Sequence, residues 1–410
     1  MANSSPVAPA PDHAPAQRLP REAKLFGLVS LLNDFASEMI YPLLPAFVTG
    51  VLGAGPQALG ALDGAAEFAA AFVKLGAGRL ADRVRLRGPL IVLGYLPAVV
   101  VRPVIALTGA AWQVIGLRVV DRLGKGLRTP PRDALIADVT PAALRGRAFG
   151  LQRGLDHAGA VLGPLVAWYL LASRNANLRQ VIAASVVPGL AVMGLAVWAV
   201  RVDGHRNRDV APPPPPSPRR PAVSSLSARS PLAAIAVFYV LRMPDTLVIL
   251  RSQQLGVPTA AVPLLWAAVH VVRSSASFAG GALSDRWGPG RTMWIGWLTY
   301  AVGALGMAQA RSVGAAWALF LALGLVAGLT ESPERALVAR IAGERQGSGF
   351  GVYHGVTGVA ALLGGVALGA TFQAAGGRVA FLASAAAGLG LTIAWPALAS
   401  LHPRSPQEGT

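Results

Sequence analysis

WQVIGLRVVDRLGKGLRTPPRDALIADV (112–139), followed by TPAALRGR (140–147) and AFGLQRGLDHAGAVLGP (148–164), is the stretch on which the reading of this chain turns. At about 1.5 Å per residue its first segment is long enough to cross a bilayer. Yet it carries Arg118, Asp121, Arg122, Lys125, Arg128, Arg132 and Asp133. Charges at membrane depth are expensive, and they are kept where they line a polar path or pair with one another. At 100° per residue Arg118, Arg122, Lys125 and Arg132 share roughly a third of the helix circumference, a stripe turned away from lipid. Asp121 lies on the same stripe and offsets part of its charge. In the following helix Gly150, Gly159 and Gly163 stand ahead of Pro164. Small residues let helices approach closely, and the proline ring disturbs the helix locally. The expectation is a polar cavity wall followed by a tightly packed bend.

The composition agrees. Of 410 residues, 53% are hydrophobic and 13% charged, with mean hydropathy +0.51. An integral, all-α membrane protein follows. The net charge of +17 does not point to nucleic acid, because the basic residues sit in short loops between apolar spans without an aromatic-basic patch. The absence of cysteine excludes disulfides, thiol catalysis and cysteine metal sites. There is no phosphate loop, zinc-binding His/Glu helix motif or catalytic triad pattern, so neither an enzyme nor an ATP-driven pump is expected, and no cofactor or metal.

Apolar segments near residues 25–50, 56–82, 89–108, 112–138, 146–172 and 178–200 read as six spans, and those near 231–251, 258–283, 290–309, 313–339, 347–373 and 377–400 as six more. The expected organisation is a disordered tail (1–21), a six-helix bundle (22–200), a charged, proline-rich linker (201–230), a second six-helix bundle (231–401) and a short tail (402–410). The first tail lacks the charged-then-apolar order of a signal peptide, so the first span is expected to direct insertion itself. Arg83, Arg85, Arg87, Arg145, Arg147, Arg206, Arg208, Arg219, Arg220, Arg286, Arg291 and Arg345 fall on one side of the membrane. Arg174, Arg179, Arg311 and Arg378 fall on the other. This asymmetry predicts a multi-pass protein of the cytoplasmic membrane with both termini in the cytoplasm.

The halves repeat. GRLADRVRLRG (78–88) recurs as GALSDRWGPGR (281–291), and GLRTPPRDALIAD (126–138) as GLTESPERALVAR (328–340), both displaced by about two hundred residues. These segments resemble those of the major facilitator superfamily of secondary transporters, in particular its bacterial twelve-helix, efflux-like members. Gly78, Asp82, Arg83 and Gly281, Asp285, Arg286 match that family's motif between the second and third helices of each half. Arg118-x-x-Asp121-x-x-Gly124 is similar to its fourth-helix arginine motif, with Arg122 where glycine is usual. The spacing of Gly150, Gly159, Gly163 and Pro164 is similar to its antiporter motif, with Ala167 and Trp168 in place of two further glycines. The resemblance implies two pseudo-symmetric six-helix bundles, a substrate site between them at mid-membrane, and a monomer working by alternating access.

Candidate site residues follow from charge at membrane depth. Asp34 and Glu38 are one helical turn apart in the first span, so both carboxylates face one way. Two carboxylates away from water do not both stay ionised cheaply, so one is expected to carry a proton. Asp34, with Tyr41-Pro42 and Pro45 behind it, is similar to the first-helix acid of proton-driven exporters. The competing reading is a permanent ion pair with Arg118 or Lys74. Asp63, Glu67 and Lys74 make a polar face on the second span. Arg102, beside Pro103, reads as a snorkelling end residue. Asp156 and His157 on the fifth span, Arg242 and Asp245 on the seventh, and His270 on the eighth complete the candidate cavity set. For a lone intramembrane histidine, packing competes with substrate contact. Gly78, Asp82, Arg83, Arg132, Gly281, Asp285, Arg286, Glu331, Glu334 and Arg335 form a candidate cytoplasmic gate, with plain helix capping or a static cluster as the alternative.

The expected function is proton-coupled export of a small organic solute. The runner-up is uptake of a nutrient or metal chelate, and a non-transporting receptor is disfavoured by the number of buried charges. The fourth-span cations suit an anionic substrate and the acids of the first two spans a cationic one, and composition does not choose between them.

Overall fold

A computed structural model describes residues 19–83, 87–140, 145–206, 226–342 and 346–400. These residues are helical apart from short connections, and no strand occurs among them. A bilayer demands this, because a helix satisfies its backbone groups internally where no water is present. The first half comprises α1 (Arg21–Ile40), α2 (Pro56–Arg83), α3 (Arg87–Val104), α4 (Ala111–Val139), α5 (Arg145–Ser173), α6 (Leu178–Ala184) and α7 (Val186–Arg206). The second comprises α8 (Leu226–Leu241), α9 (Asp245–Gln254), α10 (Val262–Trp287), α11 (Pro289–Gln309), α12 (Val313–Ala342) and α13 (Gln346–Ser400). Among the described residues, seven stretches are long and apolar enough to cross a membrane. The charges along α1, α2 and α4 keep those helices out of that set.

Sequence explains the interruptions. Pro42 and Pro45 each remove a backbone donor, and α1 gives way to a 3₁₀ turn at Tyr41–Leu43, a short helix at Leu44–Ala46 and a π segment at Phe47–Val51. The run Gln346–Ser400 turns at Gly376, where φ is 82° and ψ 163°, a region that glycine enters without steric cost. Both helices next to the expected linker reach into it, α7 to Arg206 and α8 from Leu226. The proline tract, the second tail and residues 1–18 of the first lie outside the described residues.

Each half has its own apolar centre. Phe26, Val29, Ile91, Tyr95 and Ile136 are fully shielded in the first. Phe238, Trp297, Tyr300, Phe320 and Phe381 are shielded in the second, within a cluster that continues across to Tyr41 and Phe47. Large apolar side chains such as Phe72, Leu107, Val187, Leu190 and Ile393 point outward, as a lipid-facing surface requires. The halves meet where α2 packs on α13 and where α5 packs on α10. At the first of these, β-carbons added to Gly60 and Gly365 would strike each other's backbone, and one at Gly64 would come to 2.9 Å from Leu362 Cα. The Gln57 amide donates to Gln373 Oε1 at 3.3 Å nearby, where α2 begins. Gly159 and Gly163 meet the backbone of α1 at Leu31 and Phe35, and small residues permit such an approach.

Candidate functional site

The site is built around a break in a helix. Pro244 disfavours helical backbone at Met243, so α8 stops at Leu241 and α9 restarts at Asp245. The freed backbone groups are taken up by neighbours. Tyr300 Oη accepts from the Met243 amide at 2.7 Å, and the Leu241 carbonyl accepts from Ser384 Oγ at 2.6 Å. Intramembrane backbone of this kind is tolerated only where such partners exist. The break leaves Arg242 and Asp245 on the wall of a cavity of about 260 Å³, to which α2 contributes Asp63 and Glu67, α4 Arg118 and Arg122, α10 Arg273 and α12 Glu331.

Asp63 ties the halves together. It accepts from Tyr41 Oη at 3.0 Å, from the Thr246 amide at 3.1 Å and from Thr246 Oγ1 at 2.8 Å. The amide belongs to the first turn of α9, where unsatisfied donors and the helix dipole favour a negative charge. All these donors are neutral. Glu38 makes a second link: Trp266 Nε1 donates to it at 2.9 Å, and His270 Nε2 lies 3.6 Å away. Trp266 also stacks obliquely against Tyr41, with centroids 5.1 Å apart. Arg273 stands 5.0 Å over the Trp266 ring and pairs with Asp245 at 2.8 Å.

The cationic stripe of α4 divides. Arg118 and Arg122 reach the cavity. Arg118 pairs with Asp121 at 3.4 Å and lies 5.2 Å over the Tyr41 ring. Arg128 turns to the Gly94 carbonyl at 2.9 Å and to Tyr95, 4.5 Å below it. Arg132 donates to Ser30 Oγ at 3.0 Å and to Asp133 at 2.9 Å. Lys125 is half-buried. Arg102 does not snorkel: it is 3% exposed, pairs with Asp121 at 3.1 Å and donates to the Asn33 carbonyl at 2.9 Å. An acid on the next helix, Asp121 of α4, draws it inward, which its isolated position beside Pro103 did not reveal.

Asp34 and Glu38 differ in surroundings despite their shared helix face. Asp34 accepts from the neighbouring Asn33 Nδ2 at 2.9 Å and is not among the residues that line the cavity. Arg118, a candidate partner for both acids, is held by Asp121 instead. Lys74, with His354, lines a small recess that begins at Glu67. Asp156 accepts from Gln152 at 2.7 Å, and His157 is half-buried beside it on α5. Glu334 is fully buried and accepts from Tyr353 Oη at 2.7 Å and Tyr239 Oη at 3.3 Å. Glu331 and Arg335 are 3.6 Å apart and partly exposed. Gly281 and the exposed Arg286 lie on α10. Gly78, Asp82, Arg83, Gly150 and Asp285 lie outside the residues whose surroundings the structure describes, so the candidate gate is visible only in part.

Trp266, Thr246, Tyr239 and Tyr353 enter the site without a signal in the sequence, since an aromatic or threonine in an apolar helix reads as packing. Pro244 was the available clue to the helix break.

Comparison with known proteins agrees with this architecture. The family model described as Major Facilitator Superfamily matches residues 26–309 and 246–409. An uncharacterised MFS-type transporter of Methanocaldococcus jannaschii is 27% identical, covering 84% of this chain and 87% of its own. An uncharacterised protein of Mycobacterium tuberculosis is 29% identical over 87% of each chain. The multidrug resistance protein MdtH of Photorhabdus laumondii is 32% identical over 35% of each. Among solved structures, a POT family transporter in complex with a thioalcohol-conjugated peptide superposes with TM-score 0.76 at 10% identity, covering 93% of this chain and 96% of its own. A bacterial homologue of the human lysosomal transporter Spinster, inward-facing and unoccupied, superposes with TM-score 0.67 at 16% identity, covering 94% and 98%. The chain is a member of the major facilitator superfamily, an integral multi-pass membrane transporter.

Proposed function

We propose that this transporter has twelve spans and exports a small organic solute across the cytoplasmic membrane by alternating access, in exchange for protons taken up on Asp63 and Glu38. The loop arginines support the orientation, with both termini in the cytoplasm. The partial similarity to MdtH supports export.

The observation that carries the coupling is that Asp63 accepts three hydrogen bonds from neutral donors, two of them from the other half. A carboxylate in such a place is satisfied by hydrogen bonds, with no ion pair to any described residue. Adding a proton relieves the burial of charge and makes one oxygen a donor, which weakens its hold on Thr246 and the start of α9. Proton binding therefore loosens the connection between the halves, and deprotonation restores it. Glu38 works in parallel, because protonation removes the negative charge that accepts from Trp266 of the second half. Asp34 has no contact to the second half among its described bonds and serves a supporting role.

The test uses purified protein in liposomes, an imposed pH gradient and a substrate found by accumulation screening in a strain lacking the protein. Wild type concentrates substrate at the expense of the gradient. Asp63→Asn loses this and retains downhill exchange, while Asp34→Asn has a smaller effect. Wild-type transport indifferent to the gradient removes proton coupling, and an Asp63→Asn protein that still concentrates substrate moves the coupling to another group.

A further inference from the structure

The pairing of charges around the cavity distinguishes anionic from cationic solutes. Of its eight charged lining groups, Asp63 is saturated by Tyr41 and Thr246, and Asp245 is held by Arg273. Arg118 is held by Asp121, and Glu331 is in reach of Arg335 at 3.6 Å. Three groups remain: Arg122, Arg242 and Glu67 line the cavity with no hydrogen bond or ion pair from their side chains to any described residue. Arg122 Nε is also shut off from solvent with no hydrogen-bond partner among the described residues. The charge of Asp63 balances the lining as a whole, but its oxygens are already occupied by donors, whereas the guanidinium donors of Arg122 and Arg242 are left open to a solute. Arg122 comes from α4 of the first half and Arg242 from the helix break of the second.

We propose that the transported solute carries an anionic group, a carboxylate, phosphate or phosphonate, clamped between Arg122 and Arg242. This rests on the transporter reading above and adds the substrate class. A planar guanidinium offers paired donors that match such groups, and in a poorly hydrated cavity these charge-assisted bonds are strong. The two arginines belong to different halves, so a bound anion bridges them. It favours the arrangement in which both reach it, and its departure frees the halves to move. Glu67 faces the same space, so a zwitterion fits as well as a simple anion. A plain cation would leave both arginines without a partner.

The full-length protein, purified in detergent, is titrated with four matched probes: benzoate, phenylphosphonate, benzamide and benzylammonium, with melting temperature as the readout. The anions should raise it saturably, and the neutral and cationic probes should not. Arg122→Gln and Arg242→Gln should each weaken the apparent affinity for the anions by about tenfold to a hundredfold. Arg122→Lys and Arg242→Lys, which keep the charge and guard against a Gln variant that fails to fold, should lose less. Arg311→Gln, at an exposed position away from the cavity, should change nothing. Absence of any anion-specific rise, equal stabilisation by benzylammonium or benzamide, or an anion response that survives substitution of both arginines overturns the clamp.

Counterflow in liposomes separates this failure from that of the transporter reading. A protein that exchanges a cationic or neutral solute and ignores anions is a transporter without the clamp. One that binds anions saturably and moves no solute has the clamp without the transport.

Discussion

Asp121 holds two buried ion pairs, with Arg102 and Arg118 both in contact and all three nearly inaccessible. Such a group is costly to bury and still more costly to leave half-made, because a guanidinium without its counter-charge keeps its full desolvation penalty. Asp121→Asn is therefore expected to destabilise the protein by about 3–5 kcal/mol, read as a lower melting temperature and a smaller folded yield in detergent. Combining it with Arg102→Met should recover part of that loss, since the substitution also removes the stranded charge. A double variant no more stable than Asp121→Asn alone would mean that the pair acts only through packing. Arg102 shows why single residues are hard to place from sequence. Its apolar neighbours suggest a helix end, and its acid partner lies in another helix, so only the packing of α3 on α4 unites them.

At the scale of elements, the interruption between α8 and α9 places Arg242 and Asp245 on the cavity wall. It persists because α11 and α13 supply Tyr300 and Ser384 to the exposed backbone. Ser384→Ala should cost about 0.5–1.5 kcal/mol. Tyr300→Phe, which strands the Met243 amide in an apolar setting, should cost about 1–3 kcal/mol. Both should lower substrate affinity by moving Arg242, although neither side chain lines the cavity. Melting curves together with a binding titration check this: stability loss without an affinity change would show that the break does not position the site. The break was not legible in the expected span 231–251: Pro244 hints at it, but Pro97, Pro164 and Pro333 sit inside continuous helices of the same chain. Nor were the partners that stabilise it, since a tyrosine and a serine in apolar helices carry no periodic mark.

For the whole molecule, the chain contains no cysteine, so single cysteines report topology directly. Ser217→Cys and Ser405→Cys should react with an impermeant thiol reagent only from the cytoplasmic side. Asn175→Cys, in the exposed connection between α5 and α6, should react only from outside. Labelling of Ser217→Cys in intact cells would invert the orientation. The halves touch along α2–α13 and α5–α10, and glycines at Gly60, Gly64 and Gly365 bring the first pair into backbone contact. In the alternating-access cycle proposed above, contacts this close between the halves have to rearrange.

The sequence by itself determined the membrane-helical class, the two-half repeat, the family, and the acids and bases held at membrane depth. These depend on local quantities: hydropathy over a span, helical periodicity, and motifs recurring at one offset. Only the tertiary structure decided which charges are partners. Glu38 and Asp34 share a helix face and are indistinguishable by spacing, yet Glu38 reaches Trp266 and His270 while Asp34 bonds to its neighbour Asn33. Arg118, Arg122 and Arg128 lie on one helix, yet Arg118 is held by Asp121 and Arg128 by Gly94, while Arg122 faces the cavity with no hydrogen bond or ion pair to any described residue. The physical reason is range. A helix pattern sets the direction in which a side chain leaves its own axis. The electrostatic state of a buried group depends on donors and charges brought within a few ångströms by other helices, and that proximity exists only once the bundle has packed.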